Sequence, residues 1–272
     1  FLRNTMPRNR HDPHLNETEV QNNRIKKGNV LTEIYHIPSS TNNVVLLFCY
    51  GIPSHPFDRF PFGLESYLRQ GYILAYPHYE GTFGSEGVCT IENAVNSVLV
   101  TLRALFAEDL SDLMSGERFN IKPQRITLVG GSFGGSVALV AAAKSDKINN
   151  VISVAGPTNY RGRDFSRLKN KLSSAYNKEW NISPSVWGKL MRGKVDINPI
   201  DYVKKLKNKN TYLIHGEADA IIPADHATRL YKMLKDGSGK HQILIESNVG
   251  HVGCHYIGND RIHKLVESWL NE

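Results

Sequence analysis

The stretch Arg125-Ile126-Thr127-Leu128-Val129-Gly130-Gly131-Ser132-Phe133-Gly134-Gly135 constrains this chain more than any other. The apolar run ending at Val129 is short enough for one buried strand, and Ser136 to Ala143 reads as a helix. Between them lies a G-x-S-x-G pentad, Gly130 to Gly134, with one serine at the apex of a strand, a sharp turn and a helix. A serine on so tight a turn takes up strained backbone angles, and side chains two residues to either side collide with strand and helix; glycine removes those collisions. The hydroxyl is then held clear of the sheet at a helix N-terminus, where developing negative charge is favoured. Ser132 is therefore the candidate nucleophile. The competing reading is a glycine-rich turn whose serine only caps the helix.

A serine hydroxyl is a poor nucleophile unless a base takes its proton, and the base needs an orienting carboxylate. The rest of the chain shows where to look. Strand patterns at 30–37, 44–50, 72–77, 125–129, 151–155, 211–215 and 242–246 alternate with helical patterns at 64–70, 91–106, 136–143, 224–235 and 260–270. Thr90 is the expected cap of the second helix. Such alternation predicts an α/β fold, a mostly parallel central sheet with helices on both faces. Val44 to Tyr50 is apolar throughout, as a strand buried on both faces requires.

In an open parallel sheet, residues just past the C-terminal ends of the strands converge on one crevice. After 211–215 stands Gly216-Glu217-Ala218-Asp219, and after 242–246 stands Ser247-Asn248-Val249-Gly250-His251. Asp219 and His251 are the candidate acid and base. Glu217 and Asp225 rival Asp219, and His226, His241 and His255 are the other histidines nearby. His251 and His255, four apart, resemble half of a metal site, but no H-E-x-x-H motif or third ligand accompanies them, so neither a metal nor an organic cofactor is expected. A tetrahedral intermediate needs two donors for its oxyanion. The Phe133 backbone N–H is the first. The second falls in the loop Tyr50-Gly51-Ile52-Pro53, as the Ile52 or Gly51 N–H or the Tyr50 hydroxyl; Tyr50 reads equally as an aromatic closing the strand end.

These segments resemble the α/β-hydrolase superfamily, in which the order Ser…Asp…His also holds, and more closely the catalytic domain of the prolyl oligopeptidase family of serine peptidases and related esterases. Tyr50-Gly51-Ile52-Pro53 is similar to that family's Y/H-G-G-P segment, and Tyr79-Glu80-Gly81-Thr82-Phe83-Gly84 to its Y-R-G-S-x-G loop. Gly130 to Gly135 resembles its nucleophile turn. Asn198-Pro199-Ile200, His215-Gly216-Glu217-Ala218-Asp219, Pro223 and Gly250-His251 resemble its acid and base region. Ile52 departs from the usual glycine and Glu80 from the usual arginine. The length also leaves no room for the N-terminal β-propeller of the larger peptidases, so the chain resembles the small acyl-ester hydrolases at least as well. The resemblance, over about residues 44–270, implies a carboxylesterase-type enzyme acting on an ester or amide bond through an acyl-enzyme. An acylaminoacyl- or oligopeptidase-like peptidase, an acyltransferase and a non-catalytic binding protein are the alternatives.

The 272 residues suffice for one large α/β domain. Residues 1–29, polar and rich in Arg and Lys, read as an irregular N-terminal arm; 30–157 and 197–272 as the core; and 158–196 as an insertion. The insertion carries nine Lys/Arg against three Asp/Glu and helical fragments around 168–176 and 186–191. It falls where the superfamily commonly carries a cap. Its basic charge is either a solvated surface or a preference for acidic substrates. A net charge of +7 raises nucleic acid or anionic lipid as a partner, but no RNP, zinc-finger or helix-turn-helix pattern is present, and the expected partner is a small-molecule or short-peptide acyl substrate. No apolar run spans a membrane. Three cysteines, Cys49, Cys89 and Cys254, fit neither a zinc pattern nor a disulfide framework, and the segment Phe1 to Met6 lacks the apolar run of a secretion signal; the expectation is a cytoplasmic protein with Cys49 in its core.

Overall fold

In the computed structural model, residues 20–52, 63–107, 110–161, 180–195 and 197–272 are described. Their strands are β1 (Gln21–Lys27), β2 (Val30–His36), β3 (Val44–Cys49), β4 (Ile73–Pro77), β5 (Leu110–Ser111), β6 (Arg118–Phe119), β7 (Arg125–Gly131), β8 (Asn150–Val154), β9 (Asn210–Gly216) and β10 (His241–Glu246). Eight of them form one sheet in the order β1-β2-β4-β3-β7-β8-β9-β10. The pairs β1–β2 and β2–β4 are antiparallel, and the other five pairs are parallel. β5 and β6 form a separate short hairpin that the sequence pattern did not reveal.

The helices are α1 (Glu65–Arg69), α2 (Ile91–Ala107), α3 (Phe133–Lys144), α4 (Pro184–Met191), α5 (Val203–Leu206), α6 (Asp225–Leu234) and α7 (Asp260–Asn271). Thr90 caps α2, its Oγ1 accepting from the Asn93 N–H at 3.0 Å. Successive side chains of a strand point to opposite faces. Val45, Leu47 and Cys49 of β3 accordingly join the core that holds α2, α3 and α6, while Leu46 and Phe48 join the core that holds α1 and α7. Helices on both faces thus explain why β3 is apolar without interruption. All of α3 from Phe133 to Ala143 is buried, so this helix has no polar face to solvent.

The expected irregular arm is corrected over residues 21–27. They form β1, in register with β2 from Gln21 opposite His36 to Lys27 opposite Val30. Only Ile25 of this strand is buried. An edge strand held by backbone pairing needs no apolar alternation, so its sequence, Gln-Asn-Asn-Arg-Ile-Lys-Lys, looks like a solvated arm. Residues 1–19 lie outside the described residues, as does the helical fragment expected around 168–176. The fragment expected at 186–191 is α4, capped by Ser183, whose Oγ accepts from the Val186 N–H. The described part of 158–196 is tied to the loop after β4: Thr82 bridges Trp180, the Cys89 N–H donates to Asn181 O at 2.8 Å, and the Asn181 N–H donates to Gly81 O at 2.6 Å.

Candidate active site

Ser132 sits where β7 ends and α3 begins, with φ 53° and ψ −126°. A left-handed φ on a non-glycine residue costs on the order of 1–3 kcal/mol and persists only when its surroundings impose it. Here they do: the Ser132 N–H donates to Val154 O at 2.9 Å, and Ser132 O accepts from the Gly135 N–H at 2.9 Å. The flanking glycines are required by close approach. A Cβ on Gly130 would run into the Gly134 backbone, and one on Gly134 into the carbonyl of Cys49 at the end of β3. Turn, helix and neighbouring strand are therefore in backbone contact.

Asp219 and His251 arrive from the loops after β9 and β10. Those loops are laced together by the Glu217 N–H to Glu246 O, 2.8 Å, and the Ala218 N–H to Val249 O, 2.9 Å. His251 Nε2 lies 2.9 Å from Ser132 Oγ, and His251 Nδ1 lies 2.8 Å from Asp219 Oδ2. A carboxylate oxygen only accepts, so Nδ1 carries a proton. In the neutral ring Nε2 then has its lone pair toward the serine hydroxyl. The Asp219 carboxylate is wholly buried. Burial raises its pKa, but hydrogen bonds from His215 and His251 and from the Ile222 N–H more than offset this and hold it well below the usual carboxylate range. Asp219 Oδ1 accepts from the N–H groups of both Ile221 and Ile222 at 2.9 Å.

The rivals stand elsewhere. Glu217 is exposed, and Asp225 pairs with Arg229 at 3.2 Å on α6. His226 Nδ1 accepts from the Thr158 N–H at 3.0 Å, and His241 Nε2 contacts Lys207 O at 3.2 Å. His255 Nδ1 lies 3.3 Å from Cys254 Sγ. Among the described residues, no three His, Cys, Asp or Glu side chains converge to hold a metal ion. Cys49, Cys89 and Cys254 are buried free thiols, Cys49 in the core as expected.

The oxyanion expectations divide. Phe133 is the first residue of α3, and the first N–H groups of a helix have no partner within it. Gly51 stands against the serine: a Cβ there would lie 2.9 Å from Ser132 Cβ and 3.5 Å from its Oγ. The Gly51–Ile52 segment therefore borders the site. The Tyr50 hydroxyl is a correction. It accepts from the Tyr79 N–H at 3.0 Å and lies 3.0 Å from Thr82 Oγ1. Thr82 Oγ1 spends its own proton on Tyr79 O at 2.8 Å, so Tyr50 must donate to Thr82. Its proton is committed, and burial pushes the hydroxyl pKa up. Tyr50 instead stacks on Tyr79, 4.5 Å between centroids, while the Tyr79 hydroxyl donates back to Tyr50 O. Sequence reasoning did not single out Tyr79 and Thr82 as supports of this loop, nor His215 behind Asp219. The Y-x-G-x-x-G and H-G-E-x-D segments were the available signals.

Beside Phe133 and Ile52 opens a cavity of about 230 Å³. Its other apolar walls are Ile91 of α2 and Ile182, Val186, Leu190 and Val195 in and around α4. Glu92, Lys189 and Lys194 also line it, and all three are exposed.

A mostly parallel sheet with helices on both faces, carrying a serine on a strained turn after a central strand, defines the α/β-hydrolase fold. Within that class the chain belongs to the prolyl oligopeptidase family, whose model matches residues 108–272. It is 26% identical to the mouse serine hydrolase BPHL over an alignment of 186 residues that covers 60% of this chain and 60% of the relative. The chain thus spans less than two thirds of that relative's length. Solved structures share the fold. The Pyrococcus furiosus esterase Pf2001 superposes with a TM-score of 0.68 at 16% identity, over 93% of this chain and 90% of the esterase. The Pyrococcus horikoshii acylaminoacyl peptidase superposes with a TM-score of 0.64 at 19% identity, over 92% of this chain but 41% of the peptidase. No helix among the described residues is long and apolar enough to cross a membrane.

Proposed function

We propose that this chain hydrolyses carboxylic esters through an acyl-enzyme on Ser132, with His251 as general base and acid and Asp219 orienting its ring. The observation that carries the reading is the pair of contacts at one imidazole, 2.9 Å to Ser132 Oγ and 2.8 Å to Asp219 Oδ2. Ser132 Oγ attacks the carbonyl carbon while its proton passes to His251 Nε2, and Asp219 stabilises the imidazolium that forms. The oxyanion receives the N–H of Phe133 and an N–H of the Gly51–Ile52 segment, each such donor worth about 3–4 kcal/mol in the transition state. Collapse expels the alcohol with the proton from His251. Water, activated by the same nitrogen, then releases the acid and restores Ser132.

An ester is the first choice over an amide because an amine is the harder leaving group, and peptide cleavage also asks for groups that hold a chain terminus. The cavity beside Phe133 takes the apolar group of the substrate. Its walls are apolar and its charges are mixed, with Glu92 beside Lys189 and Lys194, so burial of hydrocarbon and not net charge drives recognition there.

Intact-mass spectrometry after fluorophosphonate treatment tests the reading. One adduct is expected on the wild type and none on Ser132→Ala, with p-nitrophenyl ester turnover reduced by roughly 10⁴–10⁶-fold in the variant. A folded wild type that takes no adduct and turns over no ester rules it out.

A further inference from the structure

His215 belongs to the H-G-E-x-D segment, yet the mechanism above gives it no task. It lies in β9 one residue before the strand ends, with its side chain 1% exposed. Its Nε2 is 2.7 Å from the carbonyl oxygen of Ile222 and 3.3 Å from Asp219 Oδ2. Neither oxygen has a proton to give, since a carbonyl only accepts and the Asp219 carboxyl is held ionised. Nε2 therefore carries the proton, donates it to the Ile222 carbonyl, and turns its positive edge toward Asp219 Oδ2. The same Oδ2 receives the Nδ1–H of His251 at 2.8 Å. One buried carboxylate oxygen thus faces two imidazoles, hydrogen-bonded to the one from the loop after β10 and within ion-pair distance of the one from the strand.

The geometry points to His215 as a positioning residue for the reaction at Ser132: its Nε2–H ties Asp219 Oδ2 to the Ile222 turn and sets the direction in which that oxygen meets His251. The inference rests on the reading of Ser132, His251 and Asp219 as one unit. The spacing makes it possible, because the Asp219 N–H closes a turn onto Gly216 O at 3.3 Å and brings the residue four positions on back beside His215. The backbone N–H groups of Ile221 and Ile222 hold only Oδ1. Without His215, Oδ2 has His251 as its one side-chain partner among the described residues, and the carboxylate is free to swing about Oδ1. The titratable groups acting on Asp219 are His215 and His251. Removing the first concentrates the carboxylate charge on the second, which then holds its proton more tightly.

The test compares His215→Met, which fills similar space with no donor, and His215→Gln, whose amide N–H reaches about as far as Nε2. With a p-nitrophenyl ester, His215→Met is expected to lower kcat roughly ten- to hundredfold with KM within about twofold. The acidic limb of its kcat/KM profile moves up by about half a pH unit or more. His215→Gln restores most of kcat and returns the limb to its wild-type position. A methionine variant with wild-type kcat and limb, or a glutamine variant as damaged as the methionine one, overturns the assignment. Should the methionine variant not fold, imidazole ¹⁵N shifts of the wild type decide: a proton on Nε2 of His215 supports the bond, and a proton on Nδ1 alone overturns it. That measurement needs no activity, so an absence of fluorophosphonate labelling sinks the hydrolase reading separately.

Discussion

Tyr50 shows how one hydroxyl separates two readings of the same residue. With its proton given to Thr82 Oγ1 and its lone pair taken by the Tyr79 N–H, it braces the loop that carries Gly51 and Ile52. Tyr50→Phe is therefore expected to keep kcat/KM within several-fold of wild type while losing about 1–3 kcal/mol of stability in urea unfolding, because the Tyr79 N–H is left buried without its acceptor. A fall in kcat of roughly 10²–10³-fold at unchanged stability is the signature of a lost oxyanion donor and contradicts the assignment. Asp219 makes a second residue-level prediction. Its folded-state pKa is depressed, so the stability it contributes is fully present above the ordinary carboxylate pKa of about 3.9 and is lost as pH falls toward its folded value. Urea midpoints of wild type and Asp219→Asn should therefore converge as pH drops below about 4. A gap that stays constant from neutral to acid pH sinks this account.

At the scale of elements, the site is a set of strand ends pinned by backbone contacts. Gly134 packs on the carbonyl end of β3, Ser132 bonds Val154 at the end of β8, and the loops after β9 and β10 bond each other. Gly134→Ala pushes a methyl into the Cys49 carbonyl, and the turn must open to admit it. Loss of fluorophosphonate labelling at retained helical circular dichroism is expected; full labelling at wild-type rate overturns the close-approach account. Helix α4 acts differently, as one wall of the cavity, which Val186 and Leu190 line. Leu190→Trp is expected to shift p-nitrophenyl ester preference toward shorter acyl or alcohol groups, with acetate turnover within about threefold of wild type. An unchanged chain-length profile places the apolar group elsewhere.

For the whole molecule, two cores on opposite sides of one sheet make the crevice a rigid place to gather residues far apart in the chain. The alternation of strands and helices was legible because each parallel strand is buried on both faces and each covering helix buries one. Ser132, Asp219 and His251 were legible as candidates because each follows a strand and strand ends converge. Sequence could not supply their separations: Ser132 and His251 are 119 positions apart, and the 2.9 Å between them is decided by the packing of α3 and the pairing of β7 through β10. The strand β1 was hidden because an edge strand is specified by its partner's backbone and not by its own side chains. The direction of the Tyr50 hydroxyl was hidden because Tyr79 and Thr82, some thirty residues on, choose its partners. His215 reads in sequence as one more buried strand residue. The chain by itself determined the class of fold and the residue types at the strand ends, since both follow from local pattern. Which hydrogen bonds those residues make was decided only by tertiary structure, because a proton's partner depends on distances of a few tenths of an ångström between segments that the sequence keeps far apart.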